Sequence, residues 1–190
     1  KSFKKNGIEK SGIGLGDIIG ALLYKFYHNK KEKFLLSGLL FTKSPTGKYQ
    51  NIGSSEMPLG TGSFDYGLAL LPEKEIGKWD FRLSAFYLVR GNGAAGENFG
   101  DLISCALSGA YNFSKKIIAE TTLNYKKTFD NRKDGVDVSD SDTYLLQIIP
   151  GIQYRIGDRF FIQAVAPVNL VQKRAFGDSY ETWLGLYYMI

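Results

Sequence analysis

The chain has 190 residues, with 24 Lys+Arg against 19 Asp+Glu for a net charge of +5, and 44% of its residues are hydrophobic. Its single cysteine, Cys105, excludes an internal disulfide framework, and no apolar run approaches the roughly 20 residues that a membrane-spanning helix requires. The basic residues are scattered at segment ends, as Lys30-Lys31, Lys115-Lys116, Lys126-Lys127 and Lys173-Arg174, without a recognisable binding motif between them. They read as solvated strand ends and loops in contact with charged lipid head groups, and no nucleic-acid partner is expected.

The first residues, Lys1-Ser2-Phe3-Lys4-Lys5, are basic but lack the apolar stretch and small-residue cleavage site of a signal peptide. Either a signal has been removed or the true start is missing. Lys4-Lys5-Asn6-Gly7 reads as a loop.

From residue 17 onward the chain alternates apolar with polar or small side chains with a period of two, which a helix would smear over its surface. Segment 17–27 offers Ile18, Leu22, Tyr24 and Phe26 on one face and Asp17 and Lys25 on the other. Segment 33–42 is apolar on both sides and alone resembles a buried soluble strand. Segment 64–71 alternates Phe64, Tyr66, Leu68 and Leu70 with Asp65, Gly67 and Ala69, and segment 78–90 sets Phe81, Leu83, Ala85, Tyr87 and Val89 against Asp80, Arg82, Ser84, Phe86 and Arg90. The clearest pattern is 101–114, with Ile103, Cys105, Leu107, Gly109, Tyr111 and Phe113 opposite Leu102, Ser104, Ala106, Ser108, Ala110 and Asn112.

Segment 117–127 sets Ala119, Thr121, Leu123 and Tyr125 against Ile118, Glu120, Thr122, Asn124 and Lys126. Segment 142–155 gathers Tyr144, Leu146, Ile148, Ile152 and Tyr154, interrupted by Pro150, whose missing N–H predicts a bulge or irregular pairing. Segment 159–171 sets Phe160, Ile162, Ala164, Ala166, Val168 and Leu170 against Phe161, Gln163, Val165, Pro167 and Asn169. Segment 180–190 ends the chain with Trp183, Tyr187 and Tyr188.

Connections run short, long, short, long. Residues 27–31, 114–116 and 157–158 are tight and 72–78 moderate, whereas 43–63, 91–100, 128–141 and 172–179 are longer. This is the pattern of an all-β, antiparallel transmembrane β-barrel, with short turns at the periplasmic side and long loops outside. About nine strands are visible, but single-chain bacterial barrels close with an even number and no strand edge can stay unpaired in hydrocarbon. The expectation is one outer-membrane barrel domain over residues 1–190, N-terminally incomplete and part of a barrel of about 12 strands. Residues 2–12 forming a tenth strand is the less favoured reading.

The candidate lumen lining is Asp17, Lys25, Asp65, Arg82, Glu120, Asn124, Lys126, Gln147 and Gln163, with Phe86, Phe161 and Ile148 narrowing the passage. Asp17 and Asp65 are expected to pair with Lys25 or Arg82. Within the lining, Lys25, Arg82, Glu120, Asn124, Lys126, Gln147 and Gln163 form an inward set that is basic in excess, so a mild anion preference is expected if the lumen conducts ions. The expected partners are membrane lipids, small solutes and the barrel-assembly machinery of a Gram-negative outer membrane.

Two stretches add specificity. Gly12-Ile13-Gly14-Leu15-Gly16-Asp17 enters the first strand, and Leu40-Phe41-Thr42-Lys43-Ser44-Pro45-Thr46-Gly47 leaves the second, followed by Leu59-Gly60-Thr61-Gly62-Ser63-Phe64-Asp65 entering the third. This combination, from about residue 12 to 190, resembles the outer-membrane barrel family of the MetA pathway of phenol degradation. The family shows a Gly-Leu-Gly-Asp strand start, a Leu-Pro-Thr-Gly-like turn and a Gly-Thr-Gly-Ser-x-Asp segment in that order. Lys43-Ser44 departs from it, since the family favours an apolar residue directly before the proline. The resemblance implies strands before the first motif and a transport-like role near hydrophobic or aromatic compounds.

Other chemistries find little support. Gly12 to Asp17 imitates a dinucleotide fingerprint but precedes a strand, where that fingerprint must follow one and open a helix. His28, the only histidine, reads as a solvated turn residue, Cys105 as a small hydrophobe, and Glu120 or Asp80 alone establishes no acid–base pair. No catalytic residue, metal site or cofactor is expected. Asp130, Asp134, Asp137, Asp140 and Asp142 make an acidic loop without EF-hand order, read as solvated. The alternatives to a passage are a plugged structural or ligand-binding barrel whose loops carry the function, and a soluble β-sandwich, whose exterior should be more polar.

Overall fold

The computed structural model of the chain describes residues 2–5, 8–11, 14–49, 58–93, 96–157, 160–173 and 183–188. Side chains that alternate every second residue lie on opposite faces of a strand, and the long alternating segments form strands throughout. Two short strands, β1 (Ser2–Lys5) and β2 (Ile8–Ser11), pair only with each other. Lys4 and Lys5 of the segment read as a loop therefore stand in β1, Asn6 and Gly7 lie outside the described residues, and the β1–β2 pair adds no tenth strand to the main sheet.

The main sheet is an antiparallel meander. It consists of β3 (Ile18–Asn29), β4 (Phe34–Ser44), β5 (Asp65–Ile76), β6 (Trp79–Arg90), β8 (Leu102–Asn112), β9 (Ile117–Thr128), β12 (Thr143–Ile156), β13 (Phe160–Val165), β14 (Val168–Lys173) and β15 (Trp183–Tyr188). Each strand pairs with its sequence neighbour, except that β13 and β14 both lie along β12 and together make one span. Three two-residue strands, β7 (Glu97–Asn98), β10 (Arg132–Lys133) and β11 (Val136–Asp137), join two long connections into a small sheet of their own. Among the described residues β3 and β15 are the edges, and no ladder joins them.

Two boundaries differ from the sequence reading. β5 continues through the region read as a connection, leaving only Gly77 and Lys78 as the turn, with Gly77 at φ 62°. β3 likewise runs to Asn29, so His28 stands in a strand opposite Leu35 rather than in a turn. The turn that follows ends at Lys33, whose φ is 51°.

Pro150 stays in regular register with Thr121 of β9. The irregularity appears on its other side, where Ala166 and Pro167 interrupt the span opposite it. Neither proline has an N–H to give, and one bond, from Ala166 N–H to the Pro150 carbonyl at 3.0 Å, crosses the gap. A second defect shifts the β12–β14 register between Leu146 and Gln147.

Register assigns every side chain to a face, because residues directly opposite each other in adjacent strands share one. One face carries Leu22, Leu40, Leu68, Leu83, Leu107, Leu123, Ile152 and Leu184, all exposed. Ile148 belongs here, between Leu123 and Val168, and not on the polar face where it was expected to narrow a passage. The apolar face is bordered at the short-turn end by Trp79 and Tyr111 (ring centroids 4.9 Å apart), Phe81 and Phe113, and at the long-loop end by Tyr66, Tyr87 and Tyr125. Aromatic borders on an apolar band are the girdle of a membrane-spanning sheet. Near the short-turn end, the bulge between Lys25 and Tyr27 lets the Phe26 ring cover Gly38, where a Cβ would lie 2.3 Å from the ring.

Among the described residues only Ala69, Leu102 and Ala110 are buried hydrophobics, so the sheet has no core of its own. Its stability in a bilayer comes from ladder hydrogen bonds and from lipid against the apolar face. Leu107→Arg, at the middle of β8 on that face, is expected to cost about 2–4 kcal/mol in lipid vesicles. Ala106→Arg, one residue away on the polar face, should cost less. Urea unfolding of both variants in vesicles checks the face assignment, and equal costs would contradict it.

Candidate functional site

All nine candidate residues lie on one face of the sheet, the face opposite the aromatic borders. They fall into three groups. Asp17 and Asp65 meet at the long-loop end, while Glu120, Asn124, Gln147 and Gln163 are joined by hydrogen bonds across β9, β12, β13 and β14. Lys25, Arg82 and Lys126 are exposed and make no hydrogen bond or ion pair among the described residues.

The partner of both aspartates is Lys43, which the sequence reading did not select. It stands opposite Asp65 in the β4–β5 register and opposite Ile19 in β3, two residues from Asp17. Its Nζ lies 2.6 Å from Asp65 Oδ2 and 3.5 Å from Asp17 Oδ2, and it also donates to Ser63 Oγ at 3.1 Å and to Thr61 Oγ1. Lys25 and Arg82 sit farther down β3 and β6, toward the short-turn end, which is why neither reaches the aspartates. The available signal was the Lys43-Ser44 pair that departs from the family pattern: its first residue is the cation that pairs with both acids.

Around this trio the three glycine motifs close into a latch. Asp17 Oδ1 accepts the Gly47 N–H at 3.0 Å and Oδ2 accepts the Thr61 N–H at 3.1 Å. Thr46 Oγ1 accepts the Ile18 N–H at 2.8 Å and donates to the Gly16 carbonyl at 3.3 Å. Gly60 has no side chain for a reason: a Cβ there would lie 2.2 Å from Asp17 Oδ1 and 3.1 Å from the Gly47 Cα. Asp65 also accepts the Gly91 N–H at 3.3 Å, which ties the next long connection to the same point. The side chains of Lys43, Asp17 and Asp65 are 13%, 9% and 6% exposed, so the pairing takes place largely out of water, where an unpartnered charge is costly. Burial alone pushes the Asp17 carboxyl up. The Thr61 and Gly47 N–H groups and the Lys43 ammonium outweigh it and hold the group below its ordinary value of 3.8.

Above the latch the long connections are tied to one another. Asp130 Oδ1 accepts the Ser141 and Asp142 N–H groups at 3.0 and 2.9 Å, Arg132 pairs with Asp137 at 2.8 Å, and Lys173 pairs with Asp140 at 2.8 Å and Asp142 at 2.5 Å. The acids of this loop thus hold its own backbone and neighbouring cations, and among the described residues no group of three or more His, Cys, Asp or Glu is arranged to hold a metal ion. Beneath lie two open clefts of about 390 and 490 Å³ that share Lys43, Thr61 and Phe99. One is lined by Phe41, Leu88 and Arg90, the other by Ile19, Tyr49 and Leu59.

Farther down the polar face, Ser108 and Thr122 bond at 2.7 Å, and Asn124, Gln147, Asn169 and Gln172 follow in a chain of side-chain amides, with Gln147 donating to Asn169 at 2.7 Å. Glu120 accepts from Gln153 and Gln163. Register adds Lys43, Arg90 and Arg155 to the basic residues of this face, and Glu73, Glu75 and Asp80 to the acidic ones. With Lys25, Arg82 and Lys126 against Asp17, Asp65 and Glu120, six basic and six acidic residues are described on this face, and Lys33, in the turn before β4, pairs with Glu75.

Residues 2–181 match the family described as "Putative MetA-pathway of phenol degradation". Among solved structures, the fold is similar to the crystal structure of an outer membrane channel from Pseudomonas putida F1, with a TM-score of 0.73 and 18% sequence identity, covering 91% of this chain and 65% of that one. The chain therefore spans less than two thirds of the length of that channel. Among curated proteins nothing matches.

The Asp17 carboxyl has a lowered value in the folded state, so its stabilisation is complete above its ordinary value of 3.8 and is lost as pH falls through the lowered one. Asp17→Asn is expected to cost about 1–3 kcal/mol at neutral pH, with the difference from the parent shrinking below the ordinary carboxylate range in urea titrations. Gly60→Ala should reproduce the loss at neutral pH, because its methyl group takes the place of the Asp17 carboxylate. Protease cleavage within residues 45–64 reads the opening of the latch in both variants.

Proposed function

The chain belongs to the family described as "Putative MetA-pathway of phenol degradation", and from that premise we propose that it is a barrel of the bacterial outer membrane that lets small solutes pass without energy coupling. The observation that carries this reading is the polarity of the sheet. Its solvent-exposed side chains are apolar on one face and bordered by aromatic rings, while hydrogen-bonded amides and charges occupy the other. A soluble β-sandwich has the opposite arrangement, with apolar faces packed together and polar faces outward.

The edge strand supports closure with further strands. Nearly all of β3 is exposed on both faces, with Ile19 and Leu23 of the polar face 59% and 58% exposed. An unpaired edge in hydrocarbon is untenable, so the nine spans belong in a closed barrel, for which we propose about 12 strands. The nine candidate residues then line its lumen. The lipid bilayer is its first partner, and insertion falls to the barrel-assembly machinery. Hydrophobic or aromatic solutes are the proposed cargo, supported by the clefts beneath the long loops, where Phe41, Leu88, Phe99 and Tyr49 offer apolar surface beside Lys43 and Arg90. Selection would follow lumen width, wall charge and loop position, with no covalent step.

One observation favours a plugged barrel instead. The polar face also carries Leu39, Phe41, Phe86 and Leu88, and the Phe41 and Phe86 rings meet edge to face at 6.1 Å, narrowing the upper part of the wall.

The deciding measurement is single-channel conductance of the full-length protein in planar bilayers, with phenol and toluene added as competing solutes. Discrete conductance that either solute blocks is the expected result. A correctly inserted but silent barrel would move the assignment to the plugged form, whose long loops carry the function.

A further inference from the structure

Three of the six carboxylates placed on the polar face have a cation to hold, and Asp80 accepts from the Asn112 amide at 2.8 Å. Asp17 and Asp65 share Lys43, and Glu75 pairs with Lys33 at 2.9 Å. Glu120 is different. Its Oε1 accepts from two neutral donors, the side-chain amides of Gln153 at 3.5 Å and Gln163, and Oε2 takes no hydrogen bond among the described residues.

The backbone makes room for this arrangement. Gly151 stands directly opposite Glu120 in the β9–β12 register, and a Cβ there would lie 3.1 Å from the Glu120 side chain and 2.9 Å from Val165 Cγ1. Without a side chain at residue 151, the carboxylate can lie across β12 and reach the amide of Gln163 on β13.

Glu120 forms no ion pair among the described residues, and the basic residues of its own wall are distant. Lys126 is six residues along the same strand, roughly 20 Å at the rise of a β-strand. Arg155 is four residues beyond Gly151, roughly 13 Å along β12, and Arg82 stands two strands across and two residues along, roughly 12 Å away. These backbone separations exceed the Debye length of about 8 Å at physiological salt, so in a wet lumen their charges are largely screened from the carboxylate.

The group that fits is a small cation. Each glutamine amide that gives its N–H to Glu120 keeps a carbonyl oxygen, so Oε2 and two amide carbonyls remain to accept hydrogen bonds. Three acceptors and one negative charge match the three N–H donors of a primary ammonium, or an alkali cation that keeps part of its water shell. Calcium requires six to eight oxygen ligands and finds too few here.

We propose that Glu120, held by Gln153 and Gln163, is a cation-selecting station on the lumen wall that receives monovalent alkali or primary ammonium ions. The inference deepens the passage reading and rests on it. Reversal potentials in planar bilayers under a dilute potassium chloride gradient, repeated with ethylammonium chloride, test it on the full-length protein and its Glu120→Gln variant. Heat-modifiable migration confirms that each variant is folded. A unit charge met at contact distance through water changes a cation's occupancy by about five-fold, and the cation-to-anion permeability ratio should fall by about that factor in the variant. Gln163→Leu, which leaves the carboxylate but removes its main donor, should lower the ratio by less. It reads the same station should Glu120→Gln fail to fold. A normal conductance with unchanged ratios in these variants overturns the station and leaves the passage standing. A silent, inserted parent protein overturns both.

Discussion

Opposing residues of adjacent antiparallel strands share a face, and that constraint propagates through the whole molecule. Once β8 turns Leu107 one way and Ser108 the other, the continuous ladders to β6, β9, β5 and β12 commit Leu83, Leu123, Leu68 and Ile152 to the first face and Arg82, Thr122 and Gln153 to the second. The bulges at Lys25 to Tyr27 and at Leu146 to Gln147 each let one strand advance by a residue without transferring the remaining side chains to the wrong side. Prolines are admitted where the sheet can do without a donor, with Pro150 and Pro167 facing one defect so that a single stretch of ladder is weakened rather than two.

The latch at the long-loop end shows how a long connection is held. The entropy of closing a connection as long as residues 45–64 grows slowly with its length. Here Asp17 supplies both carboxylate oxygens to N–H groups of that connection, at Gly47 and Thr61, while Lys43 ties Asp17 to Asp65 across β4. The contact is close enough that glycine is required at residue 60. The glycine-rich motifs therefore have a structural reason independent of any transported solute: they bring three backbone segments within hydrogen-bond reach of one carboxylate.

Charge on the polar face is organised by location more than by number. Around the latch, Lys43 lies between two acids, and at the short-turn end Lys33 meets Glu75. Arg82 and Lys25 stand exposed on the β3 to β6 side, whereas the β8 to β13 side is mainly small hydroxyls and amides with Glu120 among them. A tally of formal charges conceals this separation, because a cation paired at 2.6 Å is largely cancelled by its partner while an unpaired one keeps a net charge that acts within about a Debye length.

Period-two alternation made the fold class and both faces legible in the sequence, since a strand's side-chain direction depends only on residue parity: residues 101–114, 117–127 and 78–90 appear as strands with the faces that they predict. Short and long connections likewise set the meander order. Parity could not reveal partners. The choice of Lys43 over Lys25 and Arg82 for the two aspartates depends on which strand ends are level, a matter of register between chain segments tens of residues apart. Glu120 shows the same limit: its face was readable, but its two amide donors lie on strands whose alignment only pairing decides. Strand ends were blurred as well, because β5 and β3 continue as long as a neighbour offers hydrogen bonds, whatever the local residues prefer. Local alternation thus determined what each strand is and which way it faces. Tertiary pairing alone decided which charges meet, because hydrogen bonds and ion pairs act over a few ångströms and only the assembled sheet brings distant residues that close.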